Sequence, residues 1–240
     1  MICSLILGRL GSKGLPGKNT MEIMGHPLAW YPMQAAVKTS SIDCHFISTD
    51  DPELKKIGHD IGFNVIDRPK HLATSGALGD DAYKHGYDSI VKILGEVPEM
   101  IVLLFCNAPT VNSSMINHGI DLLRSNPNAD SAVTVSKYNM YSPSRARRLN
   151  DSGYLDPFIS FDSFMHQSDI NCDRDSQGDV WFADVSLSVV RPENFSNMEK
   201  GLPPQKWMGR KILPIYNNAG LDIDYEWQIG QIEWWIKNCK

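Results

Sequence analysis

Two stretches of this chain carry residue types that could do chemistry. The first is Gly8-Arg9-Leu10-Gly11-Ser12-Lys13-Gly14-Leu15-Pro16-Gly17-Lys18-Asn19, four glycines in ten residues with three interleaved cations. A glycine-rich turn lets backbone N–H groups point at an anion, and Arg9, Lys13 and Lys18 add charge. The chemistry is that of a polyphosphate cradle; the plain alternative is a chain reversal with solvated lysines. The second stretch is Gly220-Leu221-Asp222-Ile223-Asp224. Asp222 and Asp224 are two apart, so an extended chain places both carboxylates on one side. Two carboxylates beside a polyphosphate are a usual way to hold Mg2+, with water and phosphate completing the octahedron. The alternative for Asp224 is to cap a last helix expected over 225–237.

The first stretch is neither of two familiar phosphate loops. A Walker A loop requires Ser or Thr after Gly-Lys, whereas Gly17-Lys18 precedes Asn19, and Ser12 stands where its first glycine belongs. The dinucleotide fingerprint also fails, because the glycines run Gly8, Gly11, Gly14.

The elements that must position these residues read as alternating strands and helices. Ile2 to Leu7 is a strand leading into the cradle. Pro27 opens an apolar-periodic helix through Trp30, Met33, Ala36 and Val37. A strand over 44–49 precedes a helix capped by Asp51 and stopped at Gly62, and a short strand follows over 64–66. A helix from about Asp80 to Leu94, ended by Gly95, carries Asp80, Asp81 and His85, read as its solvated face rather than a metal cluster. Strand 100–105, a helix over about 114–125 and strand 131–136 come next. The pattern then loosens over 138–178, before a central strand over 184–190 and a last strand over 212–215. Strand, helix, strand, helix in series implies an open, mostly parallel α/β sheet, whose ligands sit beyond the C-terminal strand ends. The cradle, Ser48-Thr49-Asp50 and Arg68-Pro69 all fall there.

Composition sets outer bounds. The chain has 240 residues, 42% hydrophobic and 21% charged, and a net charge of −5, which speaks against a nucleic-acid surface. No apolar run reaches membrane-spanning length, and Met1-Ile2-Cys3-Ser4 lacks the basic start of a signal peptide. Five scattered cysteines, without finger or C-x-x-C spacing, fit free thiols in a reducing cytoplasm.

The Gly8–Asn19 stretch resembles the A-R-x-x-S-K-G-[IL]-P-x-K-N signature of the acylneuraminate (CMP-sialic acid synthetase) cytidylyltransferases, with Gly8 in place of Ala. The resemblance implies a Rossmann-like nucleotide-diphospho-sugar transferase fold in a single domain over 1–240. It implies CMP transfer from CTP to an acidic sugar, with Mg2+ and pyrophosphate release. It places CTP on Gly8, Arg9, Gly11, Ser12, Lys13, Lys18, Asn19, Arg68 and Ala73, with Arg9, Lys18 and Asp222 as the catalytic groups and Asp222 and Asp224 as metal ligands. It makes about 138–180 a small lobe of a homodimer. The plain readings of Asp50 and Arg68 are helix capping and a surface ion pair.

On the acceptor side the chain departs from the pattern. Where the family has L-L-Q-P-T-S-P-L-R, Phe105 and Val111 take the Gln and terminal Arg positions. Arg145, of Ser142-Pro143-Ser144-Arg145, takes a substrate-binding Lys position beside Arg147 and Arg148; a plain surface cluster is the alternative. Before the central strand, Phe182 stands nearest the Arg of F-R-P-N-G, Asp184 replaces its Asn, and Arg174 lies upstream. Asn107, Arg145, Arg174 and Asp184 are thus the acceptor candidates. A nonulosonic (sialic-type) acid is the acceptor class expected; the alternatives are an aminoalkyl phosphonate, a Kdo-like acid, or a nucleotide-binding relative without catalysis.

Overall fold

The computed structural model describes residues 1–239. β1 (Ile2–Leu7), wholly buried, leads into the cradle. A two-residue hairpin, β2 (Glu22–Ile23) and β3 (His26–Pro27), follows, and α1 begins only at Trp30, running to Val37. Pro27 therefore closes a hairpin rather than opening the helix. β4 (Cys44–Thr49) and α2 (Pro52–Ile61) come next. Asp51 caps α2 by accepting from the N–H groups of Glu53 and Leu54, and Gly62 ends it in the left-handed conformation. Then follow β5 (Asn64–Asp67), α3 (Gly79–Leu94), β6 (Met100–Phe105), α4 (Ser113–Arg124) and β7 (Ser131–Lys137). The loosened segment is a small hairpin, β8 (Arg147–Leu149) with β9 (Leu155–Pro157), among short 3-10 turns. β10 (Trp181–Val190), α5 (Glu193–Ser196), β11 (Ile212–Asn217) and α6 (Ile229–Asn238) complete the chain.

The central sheet has seven strands in the order β11-β7-β10-β6-β1-β4-β5. All pairings are parallel except those of β10, which runs antiparallel between β6 and β7. α1, α2 and α4 cover one face, around Ile6, Met33, Leu54, Val102, Ile116 and Ile120. α3 and the turn Lys206–Met208 cover the other, around Leu5, Phe46, Tyr83, Leu103 and Trp207. Sheet strands buried on both faces read as continuous apolar runs, as β1 and β6 do.

α3 corrects one expectation. Asp80 is buried, and its carboxylate accepts from the N–H of Trp207, 3.3 Å away. The first turn of α3 lies against the Lys206–Met208 segment, so this carboxylate serves a neighbouring backbone instead of facing water.

A third apolar cluster bears on the site. Ile23, Leu28, Ile223 and Ile232 are buried together, with Leu15 of the cradle and Leu221 packed against them. It joins the cradle, the Asp222–Asp224 segment and α6. Full burial of Ile223 alone is worth about 1.5–3 kcal/mol relative to exposure.

Candidate functional site: an anion cradle facing a carboxylate pair

Residues at the C-terminal ends of β1, β5 and β6 line a cavity of about 420 Å³, with β4 lying between β1 and β5 in the sheet. Its walls include Gly8, Arg9, Ser12, Lys13, Lys18, Asn19, Arg68, Asn107 and Asp224. Segments distant in sequence are thus gathered by the strand order.

The cradle is held by its own side chains. Asp50, just past β4, accepts from the N–H of Leu10 at 2.9 Å, and Arg9 Nη1 donates to the Gly11 carbonyl at 3.0 Å. Asn19 Nδ2 donates to the Arg9 carbonyl at 3.3 Å. Asp50 therefore fastens the cradle while Asp51 caps the helix, a division of labour that adjacent aspartates do not announce in sequence. Gly8 also has a physical reason. A Cβ there would lie 2.6 Å from both Cys106 Sγ and Leu54 Cδ1, so the alanine of the resembling signature would require those two buried side chains to shift. Burial pushes the Cys106 thiol up to about 12, which keeps it protonated and inert.

Arg68 is buried at the end of β5. Its Nε donates to Ser48 Oγ at 3.2 Å, and its Nη2 donates to the Ser48 carbonyl. No carboxylate pairs with it among the described residues, which excludes the surface ion pair. Burial lowers its pKa from the ordinary value, yet a guanidinium remains charged. A buried cation anchored on one side and lining a cavity offers its remaining donors to a ligand.

Opposite the cradle, Asp222-Ile223-Asp224 runs with Ile223 buried and the aspartates outside the core. Asn107 pins this segment: its Nδ2 donates to the Ile223 carbonyl at 3.3 Å, and its own carbonyl accepts from the Ile223 N–H at 3.0 Å. Asp224 does not cap the last helix. Gln228 accepts from the N–H groups of Asp224 and Tyr225, and the Asp224 carboxylate instead accepts from Lys18 Nζ at 2.5 Å. The Lys18 side chain is only 12% exposed. The Asp222 carboxyl is raised above the ordinary range, first by desolvation among its neighbours and then by the charge of Asp224, with Lys18 opposing.

Among the described residues no group of three or more His, Cys, Asp or Glu side chains is gathered for a metal. The carboxylate pair nonetheless suits a hard cation. It presents two carboxylates separated by one residue, the charge of Asp224 helping to raise the Asp222 carboxyl, with the cations of the cradle nearby.

The remaining candidates separate. Gly11, Ala73 and Asp222 do not line the cavity, although Leu72 and Thr74, flanking Ala73, and Asp224, two residues from Asp222, do. Phe105, at the position where the resemblance expects Gln, lines it and packs on Tyr83 with ring centroids 5.5 Å apart. Arg145 and Arg174 lie on the surface of the 138–180 segment, bonded to the Cys172 carbonyl and to Asp175 respectively, and neither lines the cavity. Asp184 departs furthest from its expected place. Its carboxylate accepts from Thr134 Oγ1 at 2.5 Å, Ser136 Oγ at 2.6 Å, the Ser186 N–H at 3.1 Å and Asn217 Nδ2 at 3.4 Å. Four internal donors occupy it, so it is a structural anchor rather than a free acceptor-binding group. The internal donors come from β7, β10 and β11, a convergence visible only once the sheet is assembled.

Comparison with known proteins bears on this arrangement. A family model described as cytidylyltransferase matches residues 3–152. An N-acylneuraminate cytidylyltransferase of Streptococcus agalactiae serotype V is 28% identical over 70% of this chain and 40% of its own length. A CMP-N,N'-diacetyllegionaminic acid synthase of Legionella pneumophila is 28% identical over 64% of this chain and 65% of its own. The chain thus spans less than half of the streptococcal relative. Among solved structures, a CMP:2-keto-3-deoxy-manno-octonic acid synthetase complexed with CTP shares the fold, with a TM-score of 0.69 and 15% identity over 98% of each chain.

Proposed function

The chain belongs to the cytidylyltransferase family, and from that premise we propose that it moves CMP from CTP to an acidic sugar of the nonulosonic type, with Mg2+ and release of pyrophosphate. The observation that carries this reading is the convergence of Arg9, Lys13, Lys18 and the buried Arg68 on one cavity faced by Asp224. That is one cationic wall for a triphosphate, an inner donor group for the nucleoside, and an anionic edge for a divalent cation.

In this reading Arg9, Lys13 and Lys18 neutralise the triphosphate, with backbone N–H groups near Ser12. Arg68 offers its free guanidinium donors to the nucleoside. The acceptor hydroxyl oxygen forms a bond to the α-phosphorus as its proton passes to solvent, the bond from the α-phosphorus to the α,β-bridging oxygen breaks, and pyrophosphate leaves. Such chemistry is mostly positioning and charge neutralisation. Asp222 and Asp224 would hold Mg2+, which would supply Lewis-acid charge compensation when bound. Lys18 exchanges Asp224 for a phosphate oxygen as the nucleotide enters.

A second reading of the acceptor has its own support. Phe105 lines the cavity where the resemblance expects an amide, and Phe182 is exposed where it expects an arginine. Both changes remove polar donors, which favours a different acidic acceptor, such as an aminoalkyl phosphonate or a Kdo-like acid. The 138–180 segment exposes Met140, Tyr141, Leu149, Leu155 and Phe158, an apolar surface suited to a second copy in a homodimer. Among the described residues no helix is long and apolar enough to cross a membrane, and all five cysteines are free; a cytoplasmic enzyme is the location we propose.

The test is pyrophosphate release from CTP and Mg2+ with N-acetylneuraminic, legionaminic and pseudaminic acids, Kdo and 2-aminoethylphosphonate. Turnover with a nine-carbon acid supports the first reading. Turnover with only Kdo or the phosphonate supports the second. CTP binding without turnover on any acceptor would leave a nucleotide-binding relative.

A further inference from the structure

We propose that Asp184 is a positioning residue for the loop bearing Asp222 and Asp224, acting through the hydroxyl of Ser136. The inference rests on reading those two aspartates as the metal pair.

The route begins at an irregularity in β10. Pairing with β7 slips register between Ala183 and Ser188, and Val185, a β-branched residue, has a φ of +51°. Such a conformation is unfavourable and persists only where its surroundings impose it. A bulge also re-aims a side chain. Here the turned strand presents the Asp184 carboxylate to the hydroxyls of Thr134 and Ser136 on β7.

From Asp184 the contacts run to both ends of the turn that leaves β11. Asn217, its last strand residue, donates to Asp184 at 3.4 Å. Ser136 Oγ donates to Asp184 and accepts from the Gly220 N–H at 2.9 Å. A hydroxyl that donates one way and accepts the other can transmit orientation along the chain of bonds. Gly220 also packs directly on the carboxylate: a Cβ at that position would collide with Asp184 Cβ and Cγ. Only glycine lets the loop come down this far, and Asp222 follows two residues later.

Two further fasteners act downstream. Thr110 Oγ1 accepts from the Leu221 N–H at 3.5 Å, and Asn107 holds Ile223 on both sides. The loop is therefore clamped from β7 at its start and from the β6–α4 connection along its length. Losing a group that hydrogen-bonds a metal-binding side chain directly costs about 10–100-fold in metal affinity; Ser136 and Asp184 act one step further out, on the backbone that leads to Asp222, so the low end of that range is the upper bound.

The alternative is that the network only repairs the bulge. The two hydroxyls separate these roles. Thr134 exchanges bonds with Leu187 across the bulge, accepting from its N–H at 3.1 Å, whereas Ser136 tethers Gly220. The experiment is Mn2+ titration by electron paramagnetic resonance at saturating α,β-methylene-CTP, with thermal unfolding, for Ser136→Ala, Asp184→Asn, Thr134→Val and Asp222→Asn. The expected result is Mn2+ binding weakened about three- to tenfold in Ser136→Ala and Asp184→Asn, below the loss for a direct partner of a ligand. Analogue affinity without metal should stay within about twofold of wild type, as the cradle is untouched. Thr134→Val should instead lower the melting temperature and leave Mn2+ binding near wild type. Wild-type Mn2+ binding in Ser136→Ala, with binding lost in Asp222→Asn, overturns the tether alone. Wild-type binding in Asp222→Asn overturns the metal pair and the inference with it.

Discussion

The two walls of the cavity are built in opposite ways. The cationic wall is mainly local: Gly8 to Asn19 is one continuous stretch, closed on itself where Asn19 donates to the Arg9 carbonyl and fastened once from outside, where the Leu10 N–H donates to Asp50. The anionic edge is assembled from afar: Asp224 lines the cavity, and Asp222 lies two residues before it on the same segment. Asp222 and Asp224 are held by Asn107, Thr110 and Ser136, and through Ser136 by Asp184. A contiguous loop keeps its chemistry wherever a strand delivers it. A wall of long-range contacts changes its chemistry when any contributing strand changes. Both the cationic loop and the Asp222–Asp224 segment keep their charged residues, and the departures from the resembling family lie elsewhere, at Phe105, which lines the cavity, and at Phe182, which is exposed.

That contrast can be broken or sharpened experimentally. The largest effect is expected from Asp222→Asn, with turnover reduced about 100-fold or more, in line with removing one preorganised electrostatic group, and with folding retained. Steady-state pyrophosphate release checks it, and wild-type turnover would remove Asp222 from the site. Next comes Gly8→Ala, expected to cost about 1–3 kcal/mol by overpacking against Cys106 and Leu54. Adding Cys106→Ala should recover part of that loss, and the pair should therefore be non-additive in denaturant unfolding.

The pH dependence follows from Asp222. Its carboxyl is raised in the fold, so the folded chain holds this proton to higher pH than the unfolded chain does. Its contribution opposes folding as pH rises through the raised pKa, and vanishes below the ordinary carboxylate range. Without nucleotide or metal, Asp222→Asn should melt at or above the wild-type temperature near neutral pH, with the difference closing in acid. Mn2+ binding runs the other way, strengthening as pH rises, because the metal displaces that proton. A pH-independent Mn2+ affinity across this range contradicts the assignment. The smallest effect is expected from Arg145→Ala and Arg174→Ala. CTP affinity should stay unchanged by calorimetry, since neither residue lines the cavity; any loss should appear in the acceptor KM.

Legibility in the sequence follows the same division. The alternating elements, the Asp51 cap and the Gly62 stop could be read because each depends on neighbours in the chain. The cradle was readable for the same reason. The α1 start was misplaced because Pro27 serves a hairpin as well as it serves a helix's first turn. Asp80 was misread because the backbone it meets, at Trp207, lies more than a hundred residues away. The antiparallel course of β10 and the filling of the Asp184 carboxylate depend on β7, β10 and β11 being side by side, which no local pattern encodes. Period-two spacing did place Asp222 and Asp224 together, with Ile223 buried between them; it could not show that Lys18 holds one of them.

The most direct test of the central claim is calorimetric titration of CTP into wild type, Lys18→Ala and Arg68→Ala, with UTP and ATP as controls. The account expects one CTP site, preferred over UTP and ATP, weakened about tenfold or more in each variant, consistent with losing a charge-assisted contact. Absence of CTP binding, or an affinity indifferent to both substitutions, would contradict it.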